Sequence, residues 1–192
     1  ISPVPFVNEE MMKKVEERSI IPTIEGLKKD NIIFKGFIYI GLMNVDGEPY
    51  VIEYNCRLGD PETEVILPRL ETDLVSLLAA ADNGTLQDTN ISYHNGSFAT
   101  VMAVSGAYPE HYEKDKVITG FENVATHSQT LLFQAGTGLK DNTIVTKGGR
   151  VLTITAQGND IQEAVAKAKN ALAEIHFEGM YFRSDIGFEF KA

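Results

Sequence analysis

The chain has 192 residues, and 17 Lys and Arg against 27 Asp and Glu give a formal net charge of −10. Nucleic-acid binding needs a basic stripe to neutralise phosphates, and the basic residues here never gather beyond adjacent lysine pairs, so that class is excluded. A content of 43% hydrophobic and 23% charged residues is that of a globular protein and sets aside collagen-like, low-complexity and disordered chains.

A lone cysteine, Cys56, allows no internal disulfide and points to a reducing compartment. The longest apolar stretch, residues 36–43, is far short of the roughly 20 residues that span a bilayer. No basic segment followed by an apolar run opens the chain, so a cytoplasmic protein without a membrane partner is expected. It begins at Ile1 without Met, and the linker-like Ile1-Ser2-Pro3-Val4-Pro5 suggests part of a longer polypeptide.

Asn8 followed by Glu9 and Glu10 predicts a helix start, with acids opposing the positive end of the dipole. Met11, Met12, Val15, Ile20, Ile21, Ile24 and Leu27 keep an approximate helical period, while Pro22 must kink that helix or begin a second one ending near residues 29–31. Next, Phe37-Ile38-Tyr39-Ile40 and Tyr50-Val51-Ile52 flank Asp46-Gly47, which predicts a hairpin over 36–56. On its second strand Tyr50, Ile52, Tyr54 and Cys56 should face the core, with Val51, Glu53, Asn55 and Arg57 on the polar side.

Residues 57–64 are turn-rich, after which Thr72 or Asp73 caps an apolar helix stopped by Asn83-Gly84. The polar stretch 87–96 marks a domain boundary, placed after residue 95. Short strand-like runs come next at 98–104, 131–134, 144–145 and 151–155, separated by Gly-containing turns. A late helix is then capped by Asp160 and Glu163, with Ile161, Ala164, Val165, Ala168, Leu172 and Ile175 on one face. The end, at 181–182 and 188–190, reads as strand. The class is α+β.

Glu53 and Asn55, two apart on a strand, share a face with about 6.6 Å between their Cα atoms. Two oxygen donors so placed suit Mg²⁺, which keeps several waters and needs few protein ligands; a solvated strand face is the plain alternative. Arg57 continues the row, and Gly59-Asp60-Pro61-Glu62 adds a rigid turn with two carboxylates. Arg57 either forks onto a substrate carboxylate or phosphate or pairs with Asp60 or Glu62 to pin the turn. Gly148-Gly149-Arg150, with Lys147, offers either backbone N–H groups and charge to a phosphate or an ordinary turn into the next strand. His94, His111, His127 and His176 are scattered without metal-like spacing.

The run Val51-Ile52-Glu53-Tyr54-Asn55-Cys56-Arg57-Leu58-Gly59-Asp60-Pro61-Glu62-Thr63-Glu64 closely resembles the signature of the phosphoribosylamine–glycine ligase family of ATP-grasp enzymes. That pattern is Arg, Leu or Phe, Gly-Asp-Pro-Glu, any residue, then Glu or Gln, and every position is met. The resemblance extends from Ser2-Pro3 through Pro22-Thr23, 36–43 and Thr146-Lys147-Gly148-Gly149-Arg150-Val151-Leu152 to Arg183-Ser184-Asp185-Ile186-Gly187.

It implies ATP- and Mg²⁺-dependent (or Mn²⁺-dependent) ligation of glycine to 5-phosphoribosylamine through a glycyl phosphate. Glu53 and Asn55 match the family's metal ligands, and Arg57, Asp60, Pro61 and Glu62 its substrate-side signature. Lys147, Gly148, Gly149 and Arg150 stand as further substrate-binding candidates. The family's N-terminal domain and ATP-clamping lobe precede the point where this sequence starts. The expected architecture is therefore the C-terminal half of an ATP-grasp core, an antiparallel sheet with helices over 1–95, then a small β-rich C-terminal domain over 96–192. Such a piece is expected to need the missing lobes for activity. The rivals are another ATP-grasp ligase or carboxylase, and a non-catalytic module that binds a partner lobe.

Overall fold

The computed structural model describes residues 1–190, which combine helices with antiparallel sheet, so the α+β class is the class found. In chain order, helix α1 (Glu9–Val15) runs through a π-helical turn (Glu16–Ile20) into α2 (Ile21–Lys29). Strands β1 (Tyr39–Val45) and β2 (Glu48–Asn55) come next, then helices α3 (Thr63–Arg69) and α4 (Leu74–Asn83). Strand β3 (Ser97–Val104), helix α5 (Phe121–Val124) and strands β4 (Thr130–Gln134), β5 (Thr137–Lys140), β6 (Thr143–Thr146) and β7 (Arg150–Gly158) lead to α6 (Ile161–Leu172). The chain divides into two compact units, one of residues 3–60 and 70–93, the other of 1–2, 61–69 and 94 onward.

In the first unit, Asn8 caps α1 by accepting from the Met11 N–H at 2.9 Å. Pro22 cannot donate to the carbonyl four residues earlier and would crowd it. The helix answers by widening, and the Ile21 N–H reaches back five residues to the Glu16 carbonyl. Asp46 and Gly47 both sit at positive φ (52° and 81°), the geometry that matches strand twist in a two-residue hairpin. Asp73 caps α4 through the Ser76 N–H at 2.7 Å, and Gly84 (φ 72°) ends it.

The expected core face of β2 is corrected here. Tyr50, Ile52 and Tyr54 are 59%, 62% and 48% exposed, and Cys56 is exposed as well. The sheet of this unit has two strands, and the Tyr54 hydroxyl lies 3.0 Å from Thr23 Oγ1 on α2.

The second unit is built on an antiparallel sheet in the order β3-β7-β4, with Val101 and Leu132 both opposite Ile154. Leu152, Ile154 and Ala156 point to one side and pack with Val101, Ala168 and Leu172 under α6. Thr153 and Thr155 point to the other side, where α3 lies. Asp160 caps α6 by accepting from the Glu163 N–H at 2.8 Å, and Glu163 in turn accepts from the Asn159 N–H at 2.7 Å.

Three expectations change in this unit. A second hairpin, β5-β6, turns at Asp141-Asn142 rather than at glycine, both residues at positive φ, which short polar side chains tolerate. Residues 63–69, placed among turns or unassigned, form α3. The end is no strand: Tyr181 makes a single bridge to Val104, and Phe188–Phe190 is a 3-10 turn entered through Gly187 at φ 81°.

This packing sets two expected outcomes. Ile154→Ala, at a fully buried position, is expected to cost about 2–5 kcal/mol, read as a lower urea midpoint of the intact protein. Bonds from Lys14 and then Arg18 hold the Glu48 carboxyl below the usual glutamate range, so its contribution to stability is present above about pH 4.3 and lost as pH falls through the depressed value. Replacing both Lys14 and Arg18 by Ala should return Glu48 toward its ordinary titration range, tracked by NMR.

Candidate functional site

The hairpin positions the first group of candidates. Glu53 lies opposite Gly41 and Asn55 opposite Tyr39, so the two side chains share a face as the alternation requires. Asn55 Nδ2 donates to Glu53 Oε1 at 3.1 Å, which puts a carboxylate and an amide head side by side on an exposed strand. Gly41 makes room for them: a Cβ there would stand 3.0 Å from Glu53 Cγ and 3.5 Å from the Tyr39 ring.

A bulge alters the rest of the row. The register slips between Gly41 and Leu42, so Leu42 faces Val51 while Ile52 is the extra residue. Gly41 and Leu42 point to opposite sides, and Val51 therefore leaves the Glu53 row that strict alternation assigned to it. The same slip brings Tyr50, opposite Met43, onto the Glu53 side.

Arg57 is exposed, and its Nη1 donates to the Leu58 carbonyl at 2.8 Å. Gly59 is buried, Asp60 exposed, and Pro61 and Glu62 half-buried. The signature crosses from one compact unit to the other between Asp60 and Pro61. From there it coils directly into α3, with Glu64 N–H donating to the Pro61 carbonyl at 3.2 Å and Ile66 N–H to the Glu62 carbonyl at 2.9 Å.

The candidates at 147–150 are engaged within the chain. The N–H groups of Lys147 and Gly148 both donate to the Gly136 carbonyl, at 2.7 and 3.0 Å, which removes them as donors to an anion. Lys147 Nζ pairs with Asp115, whose carboxyl is held below its usual range by Lys147 first and Lys140 second. Gly149 is buried under the Tyr108 ring; a Cβ there would come within 2.1 Å of Tyr108 Cδ2. Ser105 closes the arrangement with its hydroxyl on the Gly148 carbonyl at 2.9 Å and its N–H on that of Gly149 at 2.7 Å. Arg150 is half-buried at the start of β7 and engaged within the structure.

Gly149 thus serves a close approach between the 146–150 turn and the loop carrying Tyr108 and Tyr112, while Gly148 serves one to Gly136. Sequence reading missed that loop, although a Tyr-Pro step next to Gly106 was a signal for it. Among the described residues no group of three or more His, Cys, Asp or Glu side chains is arranged to hold a metal ion, and no helix is long and apolar enough to cross a membrane.

The chain is similar to known proteins in sequence and fold. Residues 1–63 match the family described as phosphoribosylglycinamide synthetase, ATP-grasp (A) domain, and residues 98–189 match phosphoribosylglycinamide synthetase, C domain. A phosphoribosylamine–glycine ligase of Chlorobaculum tepidum is 44% identical over 186 residues, 97% of this chain and 44% of that protein. The trifunctional purine biosynthetic protein adenosine-3 of Gallus gallus is 40% identical over 188 residues, 97% of this chain and 19% of that protein. The crystal structure of phosphoribosylamine–glycine ligase from Thermotoga maritima superimposes with a TM-score of 0.81 at 36% identity, over 93% of this chain and 43% of that one. A Rhizobium etli pyruvate carboxylase superimposes with a TM-score of 0.63 at 16% identity, a likeness of fold alone. The chain thus spans less than half the length of the ligases it matches.

If Gly149 serves packing, Gly149→Ala should destabilise the intact protein by about 1–3 kcal/mol through overpacking against Tyr108, measured by thermal unfolding. An unchanged midpoint would remove that role.

Proposed function

The chain belongs to the phosphoribosylglycinamide synthetase family, and on that premise we propose that it forms the C-terminal portion of an ATP-dependent ligase joining glycine to 5-phosphoribosylamine. The products are glycinamide ribonucleotide, ADP and phosphate, in a cytoplasmic setting. Residues 1–95 are assigned to the C-terminal part of the ATP-grasp domain and 96–192 to the C domain. The remainder of the active site, including the groups that grip ATP, is assigned to the part of the family's length that this chain does not span.

The observation that carries the proposal is the Glu53–Asn55 pair, two adjacent oxygen-bearing heads on an exposed strand that runs directly into the arginine signature. This donor set fits Mg²⁺, or Mn²⁺ in its place: a hard carboxylate oxygen and an amide whose 180° rotation presents Oδ1 beside it. When bound, such an ion neutralises charge on the nucleotide phosphates. Arg57 offers a planar fork to a carboxylate or phosphate. Asp60 and Glu62 offer acceptors to the amines of glycine and phosphoribosylamine, with Pro61 stiffening the turn between them.

Held in this way, a glycine carboxylate oxygen attacks the γ-phosphorus of ATP and ADP leaves. The phosphoribosylamine nitrogen then attacks the acyl carbon and loses a proton, while the C–O bond to phosphate breaks. The chain's task is to orient both partners for these displacements.

One observation favours a second reading. Met12, Met43, Tyr50 and Ile52 expose apolar surface on the first unit, as a non-catalytic module that docks a partner lobe would. The ligase reading accounts for the same surface, because the family's remaining length supplies cover for it.

In the intact protein, Glu53→Ala and Asn55→Ala are each expected to lower Mg²⁺-dependent phosphate release by about 100-fold or more; turnover within about threefold of wild type in both would defeat the metal assignment. Arg57→Lys is expected to reduce kcat/KM about tenfold, since lysine lacks the fork. The 192-residue chain alone should release no phosphate in response to glycine and phosphoribosylamine together.

A further inference from the structure

A proline within a helix removes one N–H and leaves the carbonyl four residues earlier without its helical donor. Helix α3 contains Pro68, and the carbonyl so affected is that of Glu64. A side chain distant in sequence takes it: the Thr155 hydroxyl, on central strand β7, donates to the Glu64 carbonyl at 2.6 Å. Thr155 is 1% exposed, and its oxygen also lies 2.9 Å from Thr100 Oγ1. Valine has the same shape and is the ordinary choice for a buried strand position. Burying a hydroxyl instead is unfavourable unless it is hydrogen-bonded. The hydroxyl at 155 is hydrogen-bonded, and the shorter of its two contacts is to the Glu64 carbonyl.

That partner sits at the root of the signature turn. The Glu64 N–H holds the Pro61 carbonyl, and the Val65 and Ile66 N–H groups hold the Glu62 carbonyl at 3.1 and 2.9 Å. Fixing the Glu64 peptide fixes residues 61 and 62 with it. All of these residues belong to the second compact unit, so the tie is internal to it.

We infer that Thr155 is a positioning residue that holds the Pro61-Glu62 backbone in place for substrate by standing in for the N–H that Pro68 lacks. The inference rests on the ligase reading above for the role of Glu62. Thr155 touches no substrate itself; it acts through α3.

The test uses the intact protein. Thr155→Val should raise the KM for glycine or phosphoribosylamine roughly tenfold while the KM for ATP stays within about twofold. Thr155→Ser should behave as wild type. Adding Pro68→Ala to Thr155→Val should bring the KM back, because the helix regains its own donor to Glu64. Amide exchange at Val65 and Ile66, faster in Thr155→Val and slowed again in the double variant, reads the tie without turnover. Unchanged substrate KM values in Thr155→Val, an equal rise in the KM for ATP, or exchange unaffected by either change would overturn the inference. Absence of ligase turnover in the wild-type intact protein would instead defeat the functional reading, and the exchange measurement would still decide whether Thr155 holds α3.

Discussion

Strand β7 must satisfy hydrogen-bonding neighbours on both edges and covering layers on both faces, and its sequence divides those demands between alternate residues. Leu152, Ile154 and Ala156 meet α6 with aliphatic surface, while Thr153 and Thr155 meet the opposite side with hydroxyl-bearing side chains of similar volume. The aliphatic side supplies cohesion, since burial of such groups is the main favourable contribution to folding. The threonine side supplies direction. A helix interrupted by Pro68 docks there, with a carbonyl that has lost its i+4 donor and accepts from Thr155.

The hairpin of the first unit works under a looser constraint. With only two strands, its integrity comes from the left-handed Asp46-Gly47 turn, from the ladder between β1 and β2, and from Lys14 and Arg18 gripping Glu48 at its start. Strand alternation stands Glu53 and Asn55 together, and the absence of a side chain at Gly41 leaves room for Glu53. In this chain β2 leads directly into Arg57 and the Gly59-Asp60-Pro61-Glu62 turn.

Much of this was legible in the amino-acid order because it depends on short-range chemistry. Asn8, Asp73 and Asp160 announced three helix starts by the side-chain oxygens that cap them, Asp46-Gly47 announced the hairpin, and the Glu53–Asn55 pairing came from strand periodicity. What escaped depends on contacts between distant segments. No local pattern tells that Gly149 is needed for the Tyr108 ring, or that the N–H groups at 147 and 148 are committed to Gly136. Helix α3 was hidden by its own Pro68, whose cost is met by a residue 91 positions from Glu64. The apolar face of β2 looked like core because alternation reports which residues want burial and is silent on which layer provides it.

Cys56 sits exposed between Asn55 and Arg57 and is the only thiol in the sequence. Within these 192 residues a thiol-reactive fluorophore would therefore attach at a single position, one residue from each of two groups proposed for metal and substrate. Emission from such a label would report the polarity around the Glu53–Asn55 strand with and without added Mg²⁺.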